Sequence, residues 1–497
     1  MKTSFLAISA MLAGTAVAAQ DLPQAENDWF TAGQERLQAE LSKEPITNRA
    51  RNVILLIADG NGVGTNYATR VFMGQQEGGY GDDYVQHHET FPYLGLVKTY
   101  NTNSQTPDSA GTGTAMMSGV KTKIGVLGVD EDVVRGDCST LPGNEVATAG
   151  EIFTDLGKEV GIVSTARITH ATPGAAYAHS VDRNFGATVP EGCDTQKDIA
   201  SQLLDAMDAG IIDVAMGGGR RNFIGEDMTD DEGDSGRRTD GRNLIDEIKE
   251  RGYAYAWNAD TAGELPTDGS TPILGIFEDS HMSYEADRAD EPSLTEMTEI
   301  AIQNLEAKAG ENGYFLMVES GRVDHAQHAT NLARAVTDGA EFARMIQRVD
   351  ELTDDEETLI VVTADHEHSF ALNGYCGRGS NILGLCMEAD EAGEAHTGEP
   401  VLADDGKPYT VAMYLNGSSS ILAPNDDDEW MGSRPDVTEE EATDIDYVQQ
   451  ALVPKSSESH SAEDVAVYAK GPFAHLLEGT IEQNYIFHVL HHAATAE

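Results

Sequence analysis

The stretch YFLMVESGRVDHAQH, residues 314–328, opens on an unbroken apolar run, Tyr314 to Val318, and ends that run on a carboxylate, Glu319. A continuous apolar run bounded by glycine reads as a strand buried on both faces. Farther on, Asp324 and His328 stand four apart. On a helix that spacing puts both side chains on one face, with Cβ atoms about 5–6 Å apart, so both can reach one cation. An oxygen donor beside a nitrogen donor suits zinc, whereas Glu319 points to a harder ion. Alone, the segment fits a solvated helix start equally well, so its meaning depends on donors elsewhere.

Similar runs recur along the chain: VILLIAD (53–59), VGIVSTA (160–166), IIDVAMGG (211–218), TLIVVTAD (358–365) and DVAVYAKG (464–471). Helical stretches at 144–157, 196–208 and 293–308 lie between them. Runs that alternate with helices predict an α/β fold, a three-layer sandwich around a large, mainly parallel central sheet. Residues 51–372 form the first part of that domain and 459–497 its final part. The Asp-, Gly- and Ser-rich segment 373–458 reads as a small insertion subdomain, with TVAMYLN (410–416) as a strand. Residues 20–50 read as an N-terminal helical arm, periodic through Trp29, Phe30, Leu37 and Leu41.

Acids outnumber bases 85 to 32, a formal charge of −53 spread over the chain. Such a surface repels nucleic acid and anionic lipid, and it suggests adaptation to high salt, where screening reduces the self-repulsion. Lys2, the apolar stretch from Phe5 to about Val17 and the small residues Ala16-Val17-Ala18 read as a signal peptide over 1–19. No other run approaches the roughly 20 apolar residues of a membrane span. The expected location is therefore outside the cytoplasm, periplasmic or secreted. An exported chain permits disulfides, and Cys138, Cys193, Cys376 and Cys386 allow three connectivities. Cys376 and Cys386 can close a small loop, which would leave Cys138 with Cys193.

Ligands of open α/β sheets bind beyond the carboxyl ends of the strands. There the first run ends on Asp59, the 314 run on Glu319, and the 358 run on Asp365-His366 with His368 beyond. The 160 run leads into His170 and Thr172, and His460 precedes the last run. One Asp after a strand is commonly a cap, but three strands ending in metal-type donors are enough for two zinc sites and an oxygen-lined magnesium site. In TPDSAGTGTAMMSG (106–119), Ser109 begins a small-residue helix and is a candidate nucleophile. No G-x-S-x-G elbow is present, so activation by divalent metal is the better reading than an esterase triad. Arg183, in a chain short of positive charge, can hold two phosphate oxygens.

Together these parts resemble the alkaline phosphatases. The segments ADGNGVG (58–64), TPDSAGTGTAMMSGVKT (106–122), ITHATPGAAYAHSVDRN (168–184), MVESGRVDHAQH (317–328), TADHEHSF (363–370) and SESHSAEDVAVYAKGP (457–472) match that family's signature regions in order. The resemblance implies hydrolysis of phosphate monoesters through a phosphoserine on Ser109, with Arg183 clamping the phosphate. It implies two Zn2+, one held by Asp324, His328 and His460 and one by Asp59, Asp365 and His366. It also implies a Mg2+ completed by Asp59, Thr172 and Glu319, with His368 orienting a ligand carboxylate. A homodimer is the family's common state.

His170 and His325 stand where enteric bacterial members carry Asp and Lys, which places the chain nearer the animal-type branch. Asn61 replaces a methionine usual in that segment. Animal-type members also carry a calcium site, so a further Ca2+ or Mg2+ near Glu278, with Glu291, is implied. The rival readings are a sulfatase or phosphodiesterase on the same scaffold, and a phosphate- or metal-binding protein without turnover. The sulfatase motif C/S-x-P-x-R is missing around Ser109, and a pure binder needs no nucleophile there.

Overall fold

In the computed structural model, residues 22–393, 395–427 and 429–496 are described. The signal-peptide reading of 1–19 lies outside them. The chain divides into a short N-terminal unit ending at Pro45 and a large unit from Ile46 onward. The first contains one helix, Asp28–Leu41, capped by the Asn27 side chain, which accepts from Trp29 N at 3.0 Å. Among the described residues no helix is long and apolar enough to cross a membrane.

The large unit is built on ten strands: β1 (Asn52–Ala58), β2 (Tyr93–Lys98), β3 (Glu159–Arg167), β4 (Val214–Gly218), β5 (Ala254–Ala256), β6 (Ile273–Ile276), β7 (Tyr314–Ser320), β8 (Thr358–Ala364), β9 (Val465–Lys470) and β10 (Gly479–Glu482). They form one sheet in the order β10-β2-β9-β8-β1-β7-β3-β4-β6-β5. Every neighbouring pair is parallel except those of β9, which runs against β2 and β8. The apolar runs predicted as strands all lie in this sheet. The reversal of β9 matters for the site, because it brings the amino end of β9 to the edge where β1, β7 and β8 end.

All seven residues of β1 are buried, and their alternation divides them between two cores. Val53, Leu55 and Ile57 pack with residues of helices Ser109–Ser118, Ile199–Asp208 and Tyr485–Thr495. Ile54, Leu56 and Ala58 pack with Leu294–Ala309 and Leu332–Leu352 on the opposite face. Burial on both faces is why these strands read as continuous apolar runs rather than alternating ones.

The segment after β8 forms a three-stranded sheet from Phe370–Leu372, Ala412–Gly417 and Ala451–Pro454, with small hairpins around it. It braces the helix Arg322–His328, where the Tyr414 hydroxyl donates to Gln327 Oε1, and the segment before His460, where Ser459 N donates to Asn416 Oδ1 at 3.0 Å. The cysteines pair as Cys138–Cys193 and Cys376–Cys386.

Candidate metal centre

The register of the ladders aligns the acids. Ala58 at the end of β1 pairs with Ala364 of β8 and with Ser320 of β7, so Asp59 and Asp365 emerge side by side beyond the sheet. Glu319 sits one residue inside the end of β7, between Ile57 and Ser164. The turn after Asp59 needs glycine: Gly60 has φ +71°, and a Cβ there would meet His368 Nε2 at 2.4 Å. Its N–H donates to Asp365 Oδ1 at 3.0 Å.

Two donor triads follow. His366 Nε2 lies 3.3 Å from Asp59 Oδ1 and 3.2 Å from Asp365 Oδ2. Asp324 Oδ1 lies 3.3 Å from both His328 Nε2 and His460 Nε2, and those two nitrogens are 3.1 Å apart. Donors on a tetrahedral ion with bonds near 2.0–2.1 Å are separated by about 3.3–3.4 Å, so the three edges of the Asp324 triad and the two edges from His366 in the other are close to the spacing of tetrahedral zinc ligation. The imidazoles are aimed from behind. His328 Nδ1 contacts Glu458 O at 2.7 Å and His460 Nδ1 contacts Pro107 O at 2.8 Å, which leaves each Nε2 facing the other donors.

A third group lies deeper. Asp59, His170 and Glu319 offer ligand atoms within 4.8 Å of one another. Thr172 Oγ1, Glu319 Oε1 and both carboxylate oxygens of Asp59 are buried with no hydrogen-bond partner among the described residues. Buried acceptors without partners are costly, and a cation is the partner that suits three carboxylate oxygens and a hydroxyl. The residues present therefore fit a hard ion here and two zinc ions beside it.

Charge regulation agrees. Burial, then repulsion from Asp365, Asp324 and Glu319, pushes the Asp59 carboxyl well above the ordinary range. Burial likewise pushes Glu319 up to about 7, although the Ser164 hydroxyl donates to its Oε2. Burial would raise Asp324 too, but the imidazoles of His328, His368 and His460 outweigh it and hold its carboxyl well below. Carboxylates held this close together in a buried site favour a cation as their partner.

Ser109 is the first residue of the helix Ser109–Ser118, whose N-cap Asp108 accepts from Gly111 N at 3.1 Å. Its Oγ lies 3.3 Å from His366 Nε2. That contact is not a serine–histidine dyad, since His366 Nδ1 has no partner among the described residues and no carboxylate orients it from behind. Arg183 donates to Asp108 Oδ2 at 3.1 Å, and its Nη2 lies 3.0 Å from His170 Nε2. The arginine is thereby tied to the cap of the serine's helix.

The structure thus brings together Asp59, Ser109, Asp365, His366, Asp324, His328 and His460, with His368 bonding Asp324 Oδ1 at 2.9 Å. His170, which shares the third group with Asp59 and Glu319, also lies with His325 and His281, all three within 4.8 Å by their ligand nitrogens. Burial holds the His325 ring down to about 3. Glu278 is also present as expected near Glu291. Burial and repulsion from Glu291 raise its carboxyl, while Glu291 itself is bound by Arg288 at 3.1 Å.

Sequence reasoning missed four residues of this site: Asp108, Ser164, His281 and Glu458. Glu458 is fully buried at its side chain and accepts from Ser369 N and Oγ at 2.7 and 2.6 Å and from His368 Nδ1 at 2.5 Å. Its place in SESHSAED, two residues before His460, was the available signal.

Comparison with known proteins agrees with this geometry. The profile described as alkaline phosphatase matches residues 50–496. The chain is 41% identical over 491 residues to the alkaline phosphatase of Gadus morhua, covering 95% of this chain and 97% of that protein. It is 39% identical over 505 residues to the tissue-nonspecific alkaline phosphatase of Homo sapiens, covering 97% and 91%. Among solved structures, the alkaline phosphatase of Thermus thermophilus aligns with a TM-score of 0.62 at 23% identity, over 92% of this chain and 94% of that one. That of the Antarctic bacterium TAB5 aligns at 0.60 and 22%, over 90% and 99%. At these identities the structures attest the fold.

Proposed function

The chain belongs to the alkaline phosphatase family and is a metal-dependent phosphomonoester hydrolase, and on that premise we propose that Ser109 is its nucleophile and that the two donor triads are its zinc sites. Asp324, His328 and His460 would hold one Zn2+, and Asp59, Asp365 and His366 the other. Asp59, Thr172 and Glu319 would hold Mg2+. The observation that carries this reading is the tetrahedral-edge spacing of both triads, with Ser109 Oγ at the same spacing from His366.

Bound there, the ions would lower the pKa of the serine hydroxyl and of an attacking water and offset charge on the leaving oxygen. Ser109 Oγ loses its proton to solvent and attacks phosphorus in line, and the P–O bond to the alcohol breaks as the seryl phosphate forms. Arg183, fixed by Asp108, directs its guanidinium at the equatorial oxygens, over which the charge of the transferring phosphoryl group is spread. Water then attacks phosphorus, the Ser109–phosphorus bond breaks, and phosphate leaves. His368, held between Glu458 and Asp324, fixes the Asp324 carboxylate.

A Ca2+ or Mg2+ beside Glu278 and Glu291 would relieve their repulsion. The two disulfides support an exported, periplasmic or secreted, location, and the apolar Trp29, Leu37 and Leu41, all exposed on the N-terminal helix, support a homodimer.

Incubation with labelled phosphate at acidic pH, followed by peptide mass analysis, is expected to place phosphate on Ser109. Ser109→Ala should lose the label and at least about a thousand-fold in turnover of p-nitrophenyl phosphate. Activity surviving in that variant would refute the assignment, and a dominant rate on the sulfate or the bis-ester would refute monoester specificity.

A further inference from the structure

A cavity of about 440 Å³ opens from Arg183 and is lined as well by Arg167, Arg221 and Arg237. Its size is that of small-molecule sites, about 300–1,000 Å³. Four arginines around one cavity are out of proportion in a chain with 32 bases and 85 acids. Among the described residues, sixteen of the twenty arginines lie within ion-pair distance of a carboxylate. Arg167 and Arg237 are two of the four that do not, and both face this cavity.

Three of these guanidiniums, those of Arg167, Arg221 and Arg237, keep donors without a carboxylate partner among the described residues. Arg167 is half-buried and reaches His281 rather than an acid. Burial, then repulsion from Arg221, Arg183 and Arg237, holds it down to about 10. Arg221 has a 3.3 Å contact to Asp279, and its Nε is buried with no hydrogen-bond partner among the described residues. Arg237 is exposed, with its backbone N–H tied to Arg221 O at 2.7 Å. The lining contains a single carboxylate, the exposed Glu226. Most arginines of this acid-rich chain meet a carboxylate; here four are gathered around one cavity and two of them, Arg167 and Arg237, have no carboxylate within ion-pair distance among the described residues, an arrangement that suits a bound polyanion.

We propose that this cavity is a subsite for a second phosphate of the substrate, so that small bisphosphorylated alcohols are preferred over simple monoesters. One phosphoryl group lies at Ser109 and Arg183, and the other is received by Arg167, Arg221 and Arg237. The inference rests on the reading of Ser109 and Arg183 given above, because Arg183 joins the cavity to the nucleophile's helix.

The test compares kcat/KM of the metal-loaded enzyme for propane-1,3-diol bisphosphate and its monophosphate, both of which release a primary alcohol on the same three-carbon chain, in wild type, Arg237→Gln and Arg221→Gln. The bisphosphate-to-monophosphate ratio should fall about ten-fold in each variant, the loss of one charge-assisted contact, and should fall through KM. Arg237→Lys should restore part of it. Turnover of p-nitrophenyl phosphate should stay unchanged, which shows that folding and the nucleophile are intact. An unchanged ratio, or an equal fall for both substrates, overturns the subsite. Failure of the Ser109 reading is distinct, since it would appear as p-nitrophenyl phosphate turnover that survives Ser109→Ala.

Discussion

Replacing Ser164 by alanine should weaken magnesium binding strongly at neutral pH and hardly at all at high pH. Ser164 in β3 pairs directly with Glu319 in β7, and its hydroxyl donates to Glu319 Oε2 while accepting from Ala166 N at 2.8 Å. Burial has already pushed the Glu319 carboxyl up to about 7, and the Ser164 bond is the strongest influence holding it down. A hydrogen bond to a buried carboxylate stabilises its ionised form by about 1.5–3 kcal/mol, so its loss raises the carboxyl by roughly one to two units. A cation needs the ionised carboxylate. At pH 7 the added competition from protons therefore lowers apparent affinity roughly five- to fifty-fold, whereas at pH 10 wild type and variant are both ionised and differ by less than about two-fold. Titration of chelator-stripped enzyme with Mg2+ at pH 7 and pH 10, read by calorimetry and by regain of activity, measures both values. A loss of equal size at the two pH values would show that Ser164 shapes the site rather than holding the charge of Glu319. No loss at either would remove Glu319 from the magnesium site.

The same cluster makes stability depend on pH when metal is stripped. Asp59 and Glu319 both have carboxyls raised by burial, the latter to about 7. Their contribution to folding is fully present below the unfolded values near 4 and is lost as pH rises through 7, so thermal melts of stripped protein should fall between about pH 5 and 8 relative to metal-loaded protein; parallel curves would contradict this. With a formal charge of −53, melting temperature should also rise as sodium chloride goes from about 0.1 to 1 M, where the Debye length shrinks from about 10 to 3 Å, and a flat response would mean that surface self-repulsion costs the fold little.

Much of this was legible in the chain because donors at strand ends are local signals. Asp59, Glu319 and Asp365-His366 each close an apolar run, and the parallel register carries them to one edge without further information. His460 was legible as a residue but not as a position. It reaches the site only because β9 runs antiparallel, and nothing in DVAVYAKG distinguishes that direction. Ser164 was hidden for a related reason. It is one small polar residue inside a buried strand, and its role exists only through its cross-strand neighbour 155 residues away. Glu458 was masked by abundance, since one acid among 85 does not stand out, and only its place two residues before His460 set it apart.

The acid-rich composition also changes what the arginines mean. In a chain of balanced charge, an arginine without a partner is ordinary; here sixteen of the twenty described arginines meet a carboxylate, so Arg167 and Arg237, unpaired around a cavity with a single lining carboxylate, Glu226, mark a surface where acids are sparse. The long-range field of −53 charges opposes the approach of any phosphate ester, and salt screens that field beyond about 10 Å but leaves contacts inside the cavity largely intact. Raising ionic strength therefore removes the barrier to encounter faster than it weakens the bound state. An anionic protein of this design can work best on a doubly charged substrate in concentrated salt, because the long-range repulsion and the short-range attraction respond to salt on different length scales.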